Sequence, residues 1–205
     1  MLMLTWNNLE HPLWPAARRI YEEAFAPHSR KPEALIRAML ERGLALVHIL
    51  AESSGGAELR PVAVAIAGPS GGGSVLVIDY LAVDSRRRGH GYGTLLLAKL
   101  DEWGIRHAAG ALALLVEAEA EATADNRRRI RFWEQAGFHA TGHVHRYIWV
   151  PEPYRALYRP LSSGSGLSPE QEALFLEGDG QQLFRWISDF HRRSYKGFKE
   201  EGWDG

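Results

Sequence analysis

The sequence predicts an α/β protein in which strands and helices alternate around one main hydrophobic core. The segment SVLVIDYLAV, residues 74–83, is apolar and β-branched, as a buried strand is. A glycine-rich turn and a leucine-rich helical run, residues 85–100, follow it directly. The chain has 205 residues, of which 45% are hydrophobic and 24% are charged. This composition is typical of a globular protein whose core is large enough to need no disulfide.

Periodicity predicts two helices and two strands before this unit. Residues 11–30 contain a proline-marked helix start, and residues 31–43 carry their apolar side chains on one helical face. Residues 44–51 and 61–67 are apolar enough to be strands. In the second of these strands valine and isoleucine alternate with alanine, so we expect one face to fit closely against a neighbour. The run GPSGGGS, residues 68–74, predicts a hairpin loop.

The glycine-rich turn is followed by a second set of elements. We expect a helix to about residue 107, a strand at 111–120, a helix at 124–137 and two strands near 138–148 and 154–161. The chain contains no internal repeat.

The composition changes after Leu161. The run SSGSG predicts a linker, and Ser168-Pro169-Glu170-Gln171 predicts the start of a helix. We therefore divide the chain into a domain at 1–161 and a helical extension at 162–205. The extension carries an apolar stripe, which we expect to dock on its own domain, with a homodimer as the alternative. The stripe consists of Leu183, Phe184, Trp186, Ile187 and Phe190.

Composition also excludes several classes of protein. The chain has no cysteine, so it forms no disulfide, thiolate metal site or cysteine nucleophile, and a cytoplasmic location is favoured. The formal net charge of −1 argues against a general nucleic-acid or membrane-surface binder. The first 15 residues lack the order of a signal peptide, and no apolar run reaches the length of a membrane span.

The turn Arg88-Gly89-His90-Gly91-Tyr92-Gly93 predicts an anion site. The first backbone N–H groups of a helix lack intrahelical acceptors and carry the positive end of the helix dipole. Glycine allows a phosphate to approach this backbone closely. A dinucleotide-binding turn has the spacing G-x-G-x-x-G, whereas this chain has G-x-G-x-G, separated from its strand by DSRRR. A P-loop would need Gly-Lys-Ser/Thr, which is missing.

Two segments resemble the GCN5-related N-acetyltransferases, the GNAT family. YLAVDSRRRGHGYGTLLLAKL, residues 80–100, resembles the family's acetyl-CoA-binding segment. ADNRRRIRFWEQAGF, residues 124–138, resembles a later helix of the family, and the interval of about thirty residues also fits. The resemblance extends to about residue 161. It implies a mixed, mostly antiparallel twisted sheet of about six to seven strands flanked by helices, with the helical extension outside it.

The resemblance implies acetyl-CoA as co-substrate. Backbone amides of residues 88–93 would hold its pyrophosphate, the end of the 75–83 strand would pair with the pantetheine arm, and Asn126 would hydrogen-bond that arm. Of the arginines on the later helix, we expect Arg129 to reach the cofactor. The expected cofactor-binding residues are Leu81, Ala82, Val83, Arg88, Gly89, His90, Gly91, Tyr92, Gly93, Thr94, Asn126 and Arg129.

Acetyl transfer to an amine needs a proton acceptor and a donor for the carbonyl oxygen. The resemblance assigns the donor role to the backbone N–H of Leu81. Asp79 and Glu117 are both candidates for the base. Alternatively, Asp79 is a buried acid satisfied by backbone donors or an arginine. Glu117 and Glu119, which share a strand face, are alternatively binding residues for a cationic acceptor.

One residue departs from the family. Where the family often has a tyrosine that protonates the leaving thiolate, this chain has Trp133, whose indole cannot release its proton. Tyr92, Tyr147 or a water are the substitute donors. The departure leaves two interpretations: an N-acetyltransferase in which an amine attacks acetyl-CoA directly in a ternary complex, or a non-catalytic acyl-CoA-binding module.

The acceptor is the least defined partner. The candidate acids favour a cationic amine, carried by a small molecule, a lysine or a peptide N-terminus. We expect AFAPHSRKP, residues 24–32, and WVPEPY, residues 149–154, to line its side of the cleft. His143 and His145 share a strand face but have no third ligand at telling spacing, so we expect no metal.

Overall fold

The structure is a computed structural model, and it describes residues 1–53, 58–120, 123–147, 152–161 and 167–198. The predicted linker at 162–166 and most of the C-terminal segment lie outside the described residues. The strands are β1 (Leu2–Trp6), β2 (Leu46–Ser53), β3 (Leu59–Ser70), β4 (Val75–Val83), β5 (Ala113–Glu119), β6 (His139–Arg146) and β7 (Pro153–Pro160). The α-helices are α1 (Trp14–Ala24), α2 (Glu33–Glu41), α3 (Tyr92–His107), α4 (Ala124–Gln135), α5 (Pro169–Leu176) and α6 (Gln181–Tyr195).

The strands form an open sheet in the order β1-β2-β3-β4-β5-β7-β6. Neighbours are antiparallel at β1–β2, β2–β3, β5–β7 and β6–β7, and parallel at β4–β5. The predicted fold class is therefore confirmed: a mixed, mostly antiparallel sheet flanked by helices, followed by a helical extension. Among the described residues, none of the helices combines the length and hydrophobicity needed to cross a bilayer.

The chain divides into two compact units, which we describe separately. The first comprises Met1–Gly68, Tyr80–Leu96 and Phe190–Gly205. The second comprises Pro69–Asp79 and Leu97–Asp189. Consequently β3, β4, α3 and α6 contribute residues to both units.

The first unit is built on β1, β2 and β3. Residues 62–67 of β3 are all buried, which confirms that its valine–alanine face fits closely against a neighbour. Helix α2 buries the predicted apolar face, and Gly43 follows its C-cap residue Arg42 with a φ of +66°, which suits a glycine. The sequence interpretation missed β1, which pairs antiparallel with β2 from Leu2↔Ala51 to Trp6↔Val47.

The second unit is built on the start of β4 with β5, β7 and β6. Helix α4 begins where the Thr123 hydroxyl accepts a hydrogen bond from the Asn126 backbone N–H. The predicted hairpin loop at 68–74 is shorter than expected, because β3 continues to Ser70 and only residues 71–73 form the turn. These three glycines all have positive φ, which explains why the turn needs them.

The extension packs as the apolar stripe predicted. Helix α5 starts with a capping box between Ser168 and Gln171. Four stripe residues are at most 2% exposed, and Trp186 is half-buried. The four are Leu183, Phe184, Ile187 and Phe190. At the bend between α5 and α6, a Cβ on Gly180 would lie 2.3 Å from Thr141 Cβ, so only glycine fits there.

Candidate active site

The chain leading into the glycine turn is held by local ion pairs in the first unit. Asp84 accepts a hydrogen bond from the Arg86 backbone N–H (2.9 Å) and pairs with its guanidinium (3.1 Å). The guanidinium holds the pKa of Asp84 below its usual range. Arg87 pairs with Glu52 of β2. The first two of the three arginines therefore stabilise the turn.

The glycine turn opens α3 with an exposed backbone. Gly89 and Gly91 have φ of +78° and +77°, and no heavy atom lies within 4 Å of where a Cβ would sit on either. The first bond of the α3 ladder runs from Leu95 N–H to the Gly91 carbonyl (2.9 Å). The amides of residues 92–94 precede that ladder and have no intrahelical acceptor. This geometry suits an anion such as a phosphate.

Two side chains of the turn fold back on its own backbone. Arg88 Nε donates to the Val83 carbonyl (3.4 Å), and His90 Nδ1 lies 2.8 Å from the Arg88 carbonyl. Thr94, in the first turn of α3, is exposed. The side chains of Arg88 and His90 are both exposed, and their bonds to the backbone direct them along the turn, whereas Gly93 is buried at the start of α3.

Among the described residues, the ladder between β4 and β5 ends before β4 itself does. Its parallel pairing with β5 stops at Val77 and Leu115, although β4 continues to Val83. On the opposite edge, Asp84 N–H still donates to the Val62 carbonyl of β3 (2.9 Å). Ala82 is buried, whereas residues 81 and 83 are half-buried. An extended ligand could form backbone hydrogen bonds along the part of β4 that lies beyond its last pair with β5.

In the second unit, Glu117 of β5 is joined to Tyr147. The Tyr147 hydroxyl donates to Glu117 Oε2 over 2.7 Å. Burial, with the Glu117 charge and this hydrogen bond, raises the pKa of Tyr147 far above its ordinary value. Burial and the nearby glutamates also raise the pKa of Tyr154 to about 12. Both phenols therefore remain neutral proton donors at physiological pH.

The next acid on that strand face has a different partner. Glu119 pairs with Arg129 of α4 (Nη1–Oε1, 3.2 Å). Asn126 is buried, and its side-chain amide donates to the Ala120 carbonyl (3.1 Å). The two residues expected on the cofactor from α4 thus also tie that helix to the end of β5.

The remaining candidate base, Asp79, is half-buried on β4. Trp133 is 6% exposed and packs edge-on against Phe138, with ring centres 5.0 Å apart.

His145 lies against Phe184 of α6 (4.0 Å between ring centres). Across the described ranges, no group of three or more metal-ligating side chains is placed to hold an ion.

A cavity of about 420 Å³ lies in the first unit between α1, α2 and the C-terminal end of α6. Residues 27–33 line it, so part of the segment predicted on the acceptor side does border a cavity. Its two carboxylates, Glu22 and Glu33, both pair with Arg18 (2.9 and 2.7 Å). The candidate acids Asp79, Glu117 and Glu119 are not among its lining residues.

Sequence reasoning missed two features of these sites. The bond between Tyr147 and Glu117 joins residues thirty positions apart, and only strand pairing through β7 brings them together. Lys31 is only 4% exposed, with Nζ 3.3 Å from His191 Nδ1 and 5.2 Å from the Tyr80 ring centre. A lysine between arginine and proline in a polar segment gives no sign of such burial.

Comparisons with known proteins agree with this geometry. The family model for the acetyltransferase (GNAT) family matches residues 14–138, more than half of the chain. The chain belongs to this family. No curated protein matches it significantly.

Solved structures of the same fold are distant in sequence. A GNAT-family protein from Bacteroides thetaiotaomicron is 16% identical, with a TM-score of 0.66, and the match covers 91% of this chain and 98% of the other. The ribosomal-protein-S18-alanine N-acetyltransferase from Escherichia coli is 22% identical (TM-score 0.54; coverage 82% and 99%). An aminoglycoside 6'-N-acetyltransferase complexed with coenzyme A is 14% identical (TM-score 0.60; coverage 78% and 97%). At these identities the likeness shows the fold.

Proposed function

We propose that this acetyltransferase-family protein transfers an acetyl group from acetyl-CoA to a primary amine by direct attack in a ternary complex. The observation that carries the proposal is the open turn at the start of α3. There, two positive-φ glycines leave space beside backbone amides that have no intrahelical acceptor. These features fit a pyrophosphate, which coenzyme A contains. A similar structure, the aminoglycoside acetyltransferase, holds coenzyme A.

The proposed cofactor contacts follow from the two parts of the site. Amides of residues 88–94 take the pyrophosphate, and the β4 edge at residues 81–83 pairs with the pantetheine arm. The early end of the β4–β5 pairing supports this second contact, because it leaves that edge without a strand partner. Asn126 and Arg129 are proposed as further cofactor contacts. To make them, Asn126 would give up its bond to the Ala120 carbonyl, and Arg129 its ion pair with Glu119.

In the reaction, a bond forms between the amine nitrogen and the acetyl carbon, and the carbon–sulfur bond breaks. We assign the amine proton to Glu117, because its hydrogen bond from Tyr147 favours the charged carboxylate that a base requires. Asp79 remains the second candidate. The Leu81 backbone N–H is proposed to stabilise the carbonyl oxygen. The leaving thiolate takes its proton from Tyr92, Tyr147 or water.

The acceptor is proposed to be a primary amine without further assignment. Two similar structures are named for an aminoglycoside and for the alanine of ribosomal protein S18, and both are amine substrates. The cavity beside residues 27–33 is the proposed location of acceptor recognition. Because Arg18 already pairs with both of its carboxylates, this cavity does not by itself favour a cationic group.

A non-catalytic acyl-CoA-binding module is the second candidate, and Trp133 is the observation that supports it. Its indole is buried against Phe138 where the family often has a tyrosine acid. An amine-library screen with acetyl-CoA and thiol detection separates the two functions. The enzyme releases thiol only when an accepted amine is present. The module binds CoA and releases none with any amine.

A further inference from the structure

We propose that helix α6 completes the acid–base pair, because Phe184 and Ser188 hold the Tyr147 hydroxyl against Glu117. These two α6 residues are called the tail clasp below. The clasp would make the extension a positioning element of acetyl transfer. This inference rests on the proposed function, in which Glu117 accepts the amine proton.

The ring of Tyr147 is held by side chains. Tyr147 directly follows Arg146, the last residue of β6, and the pairing of β6 with β7 ends at Arg146↔Pro153. Its ring centre lies 5.5 Å from Phe184, 4.8 Å from His145 and 5.7 Å from Tyr154. These ring contacts, one of them from α6, contribute to fixing where its hydroxyl lies.

The hydroxyl itself is part of a short chain of hydrogen bonds. The Tyr147 phenol donates to Glu117 Oε2 over 2.7 Å and is also hydrogen-bonded to Ser188. Because the phenol proton is engaged by Glu117, the Ser188 hydroxyl is the donor of that second bond. The Ser188 bond lowers the pKa of Tyr147, against the larger upward effects of burial and the Glu117 charge. Tyr147 therefore stays neutral but becomes a better donor. A stronger donor favours the charged form of the carboxylate that accepts from it.

The helix that carries the clasp is firmly anchored within the second unit. Ser70 Oγ donates to the Trp186 carbonyl (2.7 Å). A Cβ on Gly71 would lie 2.9 Å from Trp186 Cε2, so the turn at residues 71–73 between β3 and β4 packs directly against the indole. Phe184 is 2% exposed and Ile187 is fully buried. Phe184 and Ser188 are therefore held in place by packing on both sides of them.

The clasp lies in the part of the chain that the family model does not match. That match ends at Phe138, before Tyr147 and α6. The family match therefore does not include the residues of the clasp.

Other ionisable groups surround the pair and determine the choice of measurement. On β6, His145 contacts the Tyr147 ring, and burial, aided by His143, lowers the pKa of His145. Glu119 and its partner Arg129 lie further along β5 and on α4, and Tyr154 lies on β7. A pH–rate profile would mix these titrations. The Glu117 carboxyl must therefore be observed by itself, by carbon-13 NMR of labelled glutamate assigned with Glu117→Gln.

The test uses the full-length protein and compares two substitutions that each remove one serine hydroxyl from α6. Ser188→Ala removes the clasp hydroxyl, and Ser188→Thr retains it. Ser194→Ala is the matched control, because it removes another serine hydroxyl of α6, one that is fully buried and donates to the Phe190 carbonyl (2.8 Å). Phe184→Leu tests the ring contact. Thermal melting of all four variants measures the purely structural cost.

Ser188→Ala is expected to move the Glu117 titration to higher pH by about 0.1 to 0.7 unit, which is the cooperative share, about 10 to 30%, of the charge-assisted hydrogen bond from Tyr147. Tyr147→Phe should move it further in the same direction. With an accepted amine, Ser188→Ala should lower kcat about two- to tenfold at unchanged KM for acetyl-CoA, because the phenol no longer fixes the position of the Glu117 carboxylate. Ser188→Thr should restore both quantities, and Ser194→Ala should change neither.

A Glu117 titration in Ser188→Ala that matches wild type would overturn the clasp, as would equal losses in Ser188→Ala and Ser194→Ala. Full activity of Glu117→Gln would overturn the base assignment, and with it the catalytic meaning of the clasp. The NMR titration needs no turnover. It therefore distinguishes a wrong clasp from a wrong proposed function.

Discussion

Tyr147 donates a 2.7 Å hydrogen bond to Glu117, whereas Glu119, two residues along the same strand face, is paired with Arg129 over 3.2 Å. The two carboxylates are chemically identical but differently engaged. A guanidinium partner holds its carboxylate by opposite charge, whereas a neutral phenol donates a hydrogen bond and leaves the carboxylate charge uncompensated. This difference is the structural reason for preferring Glu117 as the base.

Glu117→Gln is expected to lower kcat by about 100-fold or more, because general base catalysis usually contributes that much. The Kd for acetyl-CoA should stay nearly constant. Asp79→Asn and the control Glu119→Gln should cost much less. Steady-state kinetics with an amine from the screen, alongside calorimetry with acetyl-CoA, measure both quantities.

Equal losses in Glu117→Gln and Glu119→Gln would indicate that both acids bind a cationic acceptor. If Glu117→Gln and Asp79→Asn both keep full activity between about pH 6 and pH 9, water or another group performs proton transfer.

Trp133 offers a second test, through two variants that differ by one hydroxyl. Trp133→Phe and Trp133→Tyr both shrink a ring that is 6% exposed, so each should destabilise the protein by about 1 to 3 kcal/mol. Because the indole only packs against Phe138, the two variants should have similar kcat. Denaturant unfolding and kinetics provide the comparison. A Trp133→Tyr variant far faster than Trp133→Phe would mean that a missing acid limits the reaction.

The buried side chain of His48 should make the stability of the folded protein depend on pH. It is 1% exposed, its Nδ1 lies 2.9 Å from Thr5 Oγ1, and burial lowers its pKa from 6.5 to about 3. Between these values the unfolded chain binds a proton that the folded protein does not, so stability falls as pH falls from 6.5 towards 3. Between pH 6.5 and pH 4.5, the loss should be about 2 kcal/mol.

Urea unfolding of wild type and His48→Gln at about pH 6.5 and 4.5 checks this value. Other groups titrate equally in both proteins, so the variant should lose less stability over that interval. An equal loss of unfolding free energy in wild type and His48→Gln would show that His48 is protonated in the folded state as well.

The sequence was informative where a local pattern determines the structure. The strand, glycine turn and helix at 74–107 follow from β-branched residues, closely spaced glycines and a leucine run, and the structure has all three. The apolar stripe of α6 was likewise visible in helical periodicity. These features depend on neighbours along the chain.

The features that were missed depend on neighbours across the sheet. β1 is a strand because Leu2–Trp6 pairs with β2, although its burial is low apart from Trp6. Tyr147 meets Glu117 because β6 and β5 both pair with β7, and Ser188 reaches that hydroxyl because α6 packs nearby. No local pattern encodes these distances, so the candidate acids could be named but not ranked.

Binding of coenzyme A at the turn before α3 is the central claim, and calorimetric titration of Gly91→Val with CoA tests it most directly. Gly110→Val is the matched control, since Gly110 also has positive φ (+92°) and open space around its Cβ position, but lies in the turn after α3. Both variants carry the same backbone strain. Gly91→Val should weaken CoA binding at least about tenfold, the equivalent of about 1.4 kcal/mol, while Gly110→Val binds as wild type does. Unchanged affinity in Gly91→Val, or an equal loss in both folded variants, would contradict the account.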